Sequence, residues 1–210
     1  MDSFVTGNEL MSQMLGGVGS LTDAFIALLN CIMALIISVP LIGCVNRLRG
    51  EEKRGRIEPV LAAAVPRVSL FGGFVFIAAL EAVVFTLLGA AGLYAAGAST
   101  GLVSLPALLS AAVVYIPALL VMVGLAAFLV GCAPKLTALI WAVFGYAFLM
   151  FYFGRIFNTP EWALKLSPFG SVPQVPLEDV SAVPLTILFI LAVALCAAGF
   201  AGYGRRDVGQ

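Results

Sequence analysis

The sequence predicts an all-α membrane protein: a bundle of about five transmembrane helices with a short charged helix on the cytoplasmic side. Three observations predict it. Hydrophobic residues fill 62% of 210 positions and charged residues only 10%, with a mean hydropathy of +1.11, outside the range of soluble domains. The apolar residues fall in runs of roughly the 20 residues that a helix needs to cross a hydrocarbon core about 30 Å thick. The charges are clustered too, with six of the eleven basic residues between Arg47 and Arg67.

Taken in order, residues 1–20 contain Asp2 and Glu9 and no basic cluster, unlike a signal peptide, and read as an extracytoplasmic arm. A single transmembrane domain is expected from residue 21 to 210, with spans near 21–45, 68–96, 106–131, 136–153 and 183–203. The third and fourth are joined by so few residues that they must form an antiparallel hairpin. Loop charges set the orientation. With the loop after the first span inside, nine basic residues lie inside and only Arg155 and Lys165 outside. The amino terminus is then outside and the carboxyl terminus cytoplasmic. The external loop 154–182 carries Pro160, Pro168, Pro173 and Pro176, which forbid a long helix. A turn of helix at Glu161–Leu166, with Trp162 at the interface, makes it either an ordered cap or a plain surface loop.

The segment 47–67 mixes signs. Glu52 and Arg56 stand four apart, as do Arg54 and Glu58, so both pairs are placed to meet on one helix surface. Pro59, without an N–H, interrupts that helix or begins a second. A purely topological anchor accounts for the basic residues. It does not account for Glu51, Glu52 and Glu58, which add little to the topology signal and weaken attraction to anionic lipid. The alternative is a surface that docks another protein.

The pattern R-L-R-x-E-E-x-x-G-R-x-E-P-x-L-A, carried by Glu51, Glu52, Gly55, Arg56, Glu58, Pro59, Leu61 and Ala62, resembles the intracellular loop of ABC-type exporter permeases. The branch it is most similar to exports polyketide antibiotics. Leu166, Ser167, Pro168 and Phe169, then Val172 and Pro173, then Glu178 and Asp179, fit the same family, as does A-G-x-A-G-Y-x-R-R-D over 198–207. The resemblance implies a coupling helix that seats in an ABC ATP-binding subunit, with Glu51, Glu52, Arg54, Gly55, Arg56, Glu58 and Pro59 as the docking residues. A single bundle of five helices offers no obvious central pore, so a second permease unit, identical or different, is expected, in a prokaryotic cell membrane. Units of this family usually have six spans, so the chain corresponds to the last five.

No G-x-x-x-x-G-K-S/T loop is present to cradle nucleotide phosphates, so ATP hydrolysis is expected in a partner chain. Histidine is absent, and Cys31, Cys44, Cys132 and Cys196 lack metal-ligand spacing; free thiols, no metal, no cofactor and no nucleic-acid partner are expected. Glu81 is the one ionisable residue deep inside a span. A charge there costs about 2.5–3.5 kcal/mol on insertion scales, so it faces the bundle interior or carries a proton. It either lines a substrate or proton path, or bonds a polar neighbour such as Asn30 or Thr86. Phe144, Tyr146, Phe148, Phe151, Tyr152 and Phe153 crowd the fourth span, as a wall for a hydrophobic cargo or as ordinary packing. Ala198 and Gly202 suit close helix contact. An intramembrane enzyme would need converging nucleophile, base or metal ligands, and the inventory is nearly empty. A non-transporting scaffold or immunity subunit is the remaining alternative to a transport subunit.

Overall fold

The computed structural model of the chain describes residues 21–56, 66–97, 104–154, 157 and 159–205. Seven α-helices are formed among them: α1 Leu21–Lys53, α2 Arg67–Gly97, α3 Leu105–Val113, α4 Ile116–Cys132, α5 Leu139–Phe153, α6 Glu161–Leu166 and α7 Ala182–Arg205. A 3-10 turn at Pro168–Ser171 follows α6. The protein is an all-α membrane protein, with four helical stretches long and apolar enough to cross a bilayer: α1, α2, α3 with α4, and α7.

α1 differs from expectation in length. Its 33 residues do not stop near residue 45 but run on through Arg47 and Arg49 to Lys53. At 1.5 Å per residue this is about 50 Å, well beyond the hydrocarbon thickness. The charged segment therefore begins as the projecting end of the first span. The helix ends where Gly55 takes φ 68°, with the Gly55 N–H donating to the Glu52 carbonyl and the Arg56 N–H to that of Glu51. This left-handed closure satisfies two of the last carbonyls and suits a residue without Cβ. Termination thus comes four residues ahead of Pro59, which lies outside the described residues together with Glu58.

The third span is broken rather than continuous. Pro117, in the first turn of α4, has no N–H and its ring crowds the carbonyl one turn back, so α3 closes at Val113 and α4 begins at Ile116. α5 has 15 residues, about 22 Å, and is shorter than a perpendicular crossing requires. It returns antiparallel to α4, since Ala147 and Phe151 near its end share a cavity with Tyr115 at the α4 start.

α4 is the hub, buried on nearly every side from Ala118 to Gly131, while α1, α2 and α7 pack around it. α2 turns a stripe of Phe71, Val75, Ala78, Ala82, Thr86 and Ala90 inward and leaves Phe76, Leu80, Val84 and Leu88 outward. Small residues inside and large apolar residues outside is the pattern of a helix facing lipid. Three buried polar side chains within the spans close locally: Asn30 Nδ2 donates to the Ile26 carbonyl at 3.0 Å, Ser38 Oγ to that of Leu35 at 2.6 Å and Thr86 Oγ1 to that of Ala82 at 2.6 Å.

α4 and α7 run parallel in backbone contact. A Cβ on Gly124 would meet the Ala192 carbonyl oxygen at 2.8 Å, and one on Gly131 the Gly199 carbonyl carbon at 2.8 Å. Gly199 in turn sits against the Ala127 backbone, and Gly202 against Cys132. Gly202, expected as a close-contact position, takes that role. Cys132 Sγ donates to the Ala198 carbonyl at 3.3 Å across the seam.

Between α5 and α7 the proline-rich segment folds into an ordered cap. Ala163, Phe169, Val172 and Val175 are buried, Tyr146 of α5 donates to the Ala163 carbonyl at 2.8 Å, and Ser171 Oγ donates to Lys165 at 2.9 Å. Trp162 stays exposed.

Candidate functional site

The projecting end of α1 divides into a buried and an exposed half. Glu52 points inward, its side chain only 3% exposed, and accepts a hydrogen bond from the Tyr203 hydroxyl at 2.8 Å and the Arg49 guanidinium at 3.3 Å. Tyr203 sits in the last turn of α7 and stacks on Phe71 of α2 with centroids 4.7 Å apart and planes 12° from parallel. Phe200, one turn earlier, meets the same ring edge-on at 4.8 Å. One carboxylate on α1 is thereby tied to α7, and α7 to α2, at one end of the bundle. Asn46 Oδ1 and Arg49 Nε are buried beside it without a hydrogen-bond partner among the described residues.

Lys53, Arg54, Gly55 and Arg56 form the exposed half. Arg56 pairs loosely with Glu51 at 3.6 Å. These pairings differ from the helical spacing anticipated in the sequence, Glu52 with Arg56. The chain reverses at Gly55, so residue 56 no longer lies one turn above residue 52 on a common helix, and Glu52 pairs with Arg49 inside the helix instead. The anticipated Arg54–Glu58 pair lies outside the described residues. Of the docking set read from the sequence, the structure brings Glu51, Arg54, Gly55 and Arg56 together on the exposed turn and places Glu52 beneath it.

Arg49, Phe71 and Tyr203 carry the geometry of this end and were not singled out from the sequence. Tyr203 does lie in the terminal glycine-rich pattern, and a tyrosine at the charged end of the last span is a signal. Nothing in the sequence couples it to Glu52, 151 positions away.

Glu81 lies on α2, half-buried, with Oε2 buried and without a hydrogen-bond partner among the described residues. Neither anticipated neighbour reaches it, because Asn30 and Thr86 both donate to carbonyls of their own helices.

At the other end of the bundle, a cavity of about 150 Å³ opens between α1, the start of α4, the end of α5 and the cap. Phe151 and Tyr152 of the aromatic cluster line it, together with Ala27, Cys31, Tyr115, Ser167, Phe169 and Gln174. Phe148 and Phe153 face outward, and Tyr146 is spent on the cap. The cluster is therefore split between cavity wall, cap tether and outer surface.

Comparison with known proteins follows the same outline. Residues 1–204 match the family model described as Multidrug efflux system permease Rv1217c, C-terminal domain. The Multidrug efflux system permease protein Rv1217c of Mycobacterium tuberculosis (strain ATCC 25618 / H37Rv) is 33% identical over 204 residues, covering 95% of this chain and 37% of that protein. The chain thus spans little more than a third of that relative's length. With its apolar helices and this match along nearly the whole sequence, the chain belongs to the family defined by the C-terminal domain of the multidrug efflux system permease Rv1217c.

Proposed function

We propose that the chain is a membrane-spanning permease subunit, not an enzyme, of an ATP-driven ABC-type exporter whose cargo is a hydrophobic or amphipathic small molecule. The observation that carries the coupling part is the exposed turn Lys53–Arg54–Gly55–Arg56 on a helix end anchored from beneath by Glu52. A charged element that transmits force needs an outward face for a partner and an inward face gripped by the bundle. Residues 47–56 provide both, with Glu51, Arg54 and Arg56 toward an ABC ATP-binding subunit and Glu52 toward α7. Glu58 and Pro59 complete the docking set by their place in the sequence. The partner hydrolyses ATP, and closure of its nucleotide sites moves the docked turn and, through the Tyr203 link, the last helix.

The loop charges support an orientation with the amino terminus outside and this turn in the cytoplasm of a prokaryotic cell. A second permease unit completes the path, because the described helices pack around α4 and leave no central channel of their own. The name of the relative supports an efflux role, and spans almost without charge favour a hydrophobic or amphipathic cargo. Glu81, whose Oε2 has no hydrogen-bond partner among the described residues, serves as a polar point on the cargo or proton path.

The test is co-purification with the cognate ATPase. The wild-type chain should form a complex stable to size exclusion and stimulate ATP hydrolysis. Arg54→Glu with Arg56→Glu should lower complex yield at least tenfold while the permease remains folded. Full retention of the complex after charge reversal would remove the docking assignment, and a chain that never engages an ATPase would instead be a scaffold.

A further inference from the structure

The start of α2 and the end of α7 meet at the charged end of the bundle. Phe71 stacks on Tyr203, a Cβ on Gly72 would stand 3.4 Å from the Phe200 ring, and one on Gly204 would stand 3.7 Å from Val68 Cγ2. Arg67 opens α2 just before this junction and Arg205 closes α7 just after it, so two exposed arginines flank one helix contact. Neither has an ion-pair or hydrogen-bond partner among the described residues. The described acids of this end are already engaged: Glu51 pairs with Arg56, and Glu52 is turned inward onto Arg49 and Tyr203. Like charges held near one another repel, and no described side chain offsets this pair. Both arginines also border apolar surface. Val68 and Phe76 of α2 are exposed, as are Ile190 and Val193 of α7. The two charges therefore stand where the lipid-facing surface ends, at the level of the headgroups.

We infer that Arg67 and Arg205 form a binding site for the headgroup phosphate of an anionic phospholipid, whose chains lie along the apolar outer surfaces of α2 and α7. A guanidinium presents paired N–H donors that match phosphate oxygens, and it stays charged at any physiological pH. A zwitterionic headgroup carries its own cation beside the phosphate, so two unpaired arginines favour a lipid with net negative charge. Free phosphate offers the same oxygens, but it has no chains to rest on the apolar faces below. The exposed Lys53 and Arg54 do not duplicate the site, because they ride on the projecting tip of α1 rather than beside a lipid-facing surface. The site goes beyond the exporter reading and does not depend on it: it needs only the membrane-spanning bundle, whether or not an ATPase docks on the turn.

The test places the full chain in neutral detergent micelles with equal amounts of phosphatidylglycerol and phosphatidylcholine of matched chains. Native mass spectrometry then counts the lipid retained per chain. Each arginine at a membrane surface is worth about fivefold in affinity for an anionic lipid, so phosphatidylglycerol should be favoured at least about fivefold. Arg67→Gln with Arg205→Gln should bring that preference to within about twofold of none. Lys53→Gln with Arg54→Gln removes the same charge from the tip of α1 and should leave the preference within about twofold of wild type. Because both arginines are exposed and unpartnered, the Arg67→Gln, Arg205→Gln chain should keep the wild-type melting temperature; a lowered one means the arginines serve the fold, and the proposal falls. It falls equally if wild type shows no preference, or if the tip variant loses it as fully as the arginine pair. Millimolar inorganic phosphate should leave the retained phosphatidylglycerol unchanged; displacement would make this a site for free phosphate and overturn the lipid assignment.

Discussion

Gly131→Ala isolates the backbone seam between α4 and α7. The added Cβ would stand 2.8 Å from the Gly199 carbonyl carbon and 2.9 Å from its Cα, with the carbonyl oxygen closer still. Carbon atoms pack comfortably at about 3.5–4.0 Å, so the seam must open by roughly 0.7–1.2 Å at this point. No flexible side chain can yield, because the obstacle is main chain. Overpacking of this kind costs about 1–3 kcal/mol, and the opening also loosens the Gly199–Ala127 and Gly202–Cys132 contacts on either side. The same substitution at Gly89 or Gly145, where a Cβ meets nothing within 4 Å, supplies the control. There alanine should be neutral or stabilising by up to about 1 kcal/mol, through lower backbone entropy in the unfolded state. Unfolding of the three variants in mixed micelles should therefore separate Gly131→Ala from the controls by about 1–4 kcal/mol. If all three unfold alike, the helices do not touch at Gly131 and the seam is wrong.

Other perturbations address the charged end and the buried carboxylate. Tyr203→Phe keeps the ring on Phe71 and removes the hydrogen bond to Glu52, and should destabilise by about 1.5–3 kcal/mol, as for hydrogen bonds to charged groups, in the same unfolding assay. Gly55→Ala meets no steric obstacle, so any loss comes from the left-handed backbone alone, about 1–2 kcal/mol, and Gly55→Asn should recover part of it. Glu81→Gln should lower cargo flux in vesicles if the carboxyl lies on the proposed path; unchanged flux would take Glu81 off it.

The sequence carried the class of this protein because the bilayer constrains composition so strongly: runs such as residues 68–96 admit little else. It carried the ends of the elements less well. Gly55 is a standard stop for a helix, but Pro59 offered a competing stop, and only the backbone shows which acts first. Pro117 was visible and does break the third span. The apolar run on both sides masked it, because in lipid a short interruption leaves hydropathy untouched. Gly202 was legible as a close-contact position, whereas Gly124, Gly131 and Gly199 gain meaning only through partners on another helix. The same holds for the ends of the bundle. Glu52 was read as part of an outward face because its charge is visible in sequence and its burial under Tyr203 is not. Ser167 appeared as one letter of a motif; its burial depends on how the cap folds over α1 and α5.

The glycine seam also constrains how this protein can move. Two helices meeting through side chains can slide by small rotamer changes, each state slightly different from the last. Helices meeting main chain to main chain have no such freedom, since a shift of one residue brings side chains against carbonyl oxygens. α4 and α7 are therefore expected to move as a single rigid piece. The joints that flex must lie where side chains mediate contact, along α1 and α2. Because Tyr203 rides on that rigid piece and grips Glu52 on α1, the charged turn is fastened across the joint rather than to one side of it. Under the proposed docking, a push on the turn acts as torque on the pair, not as a local bend.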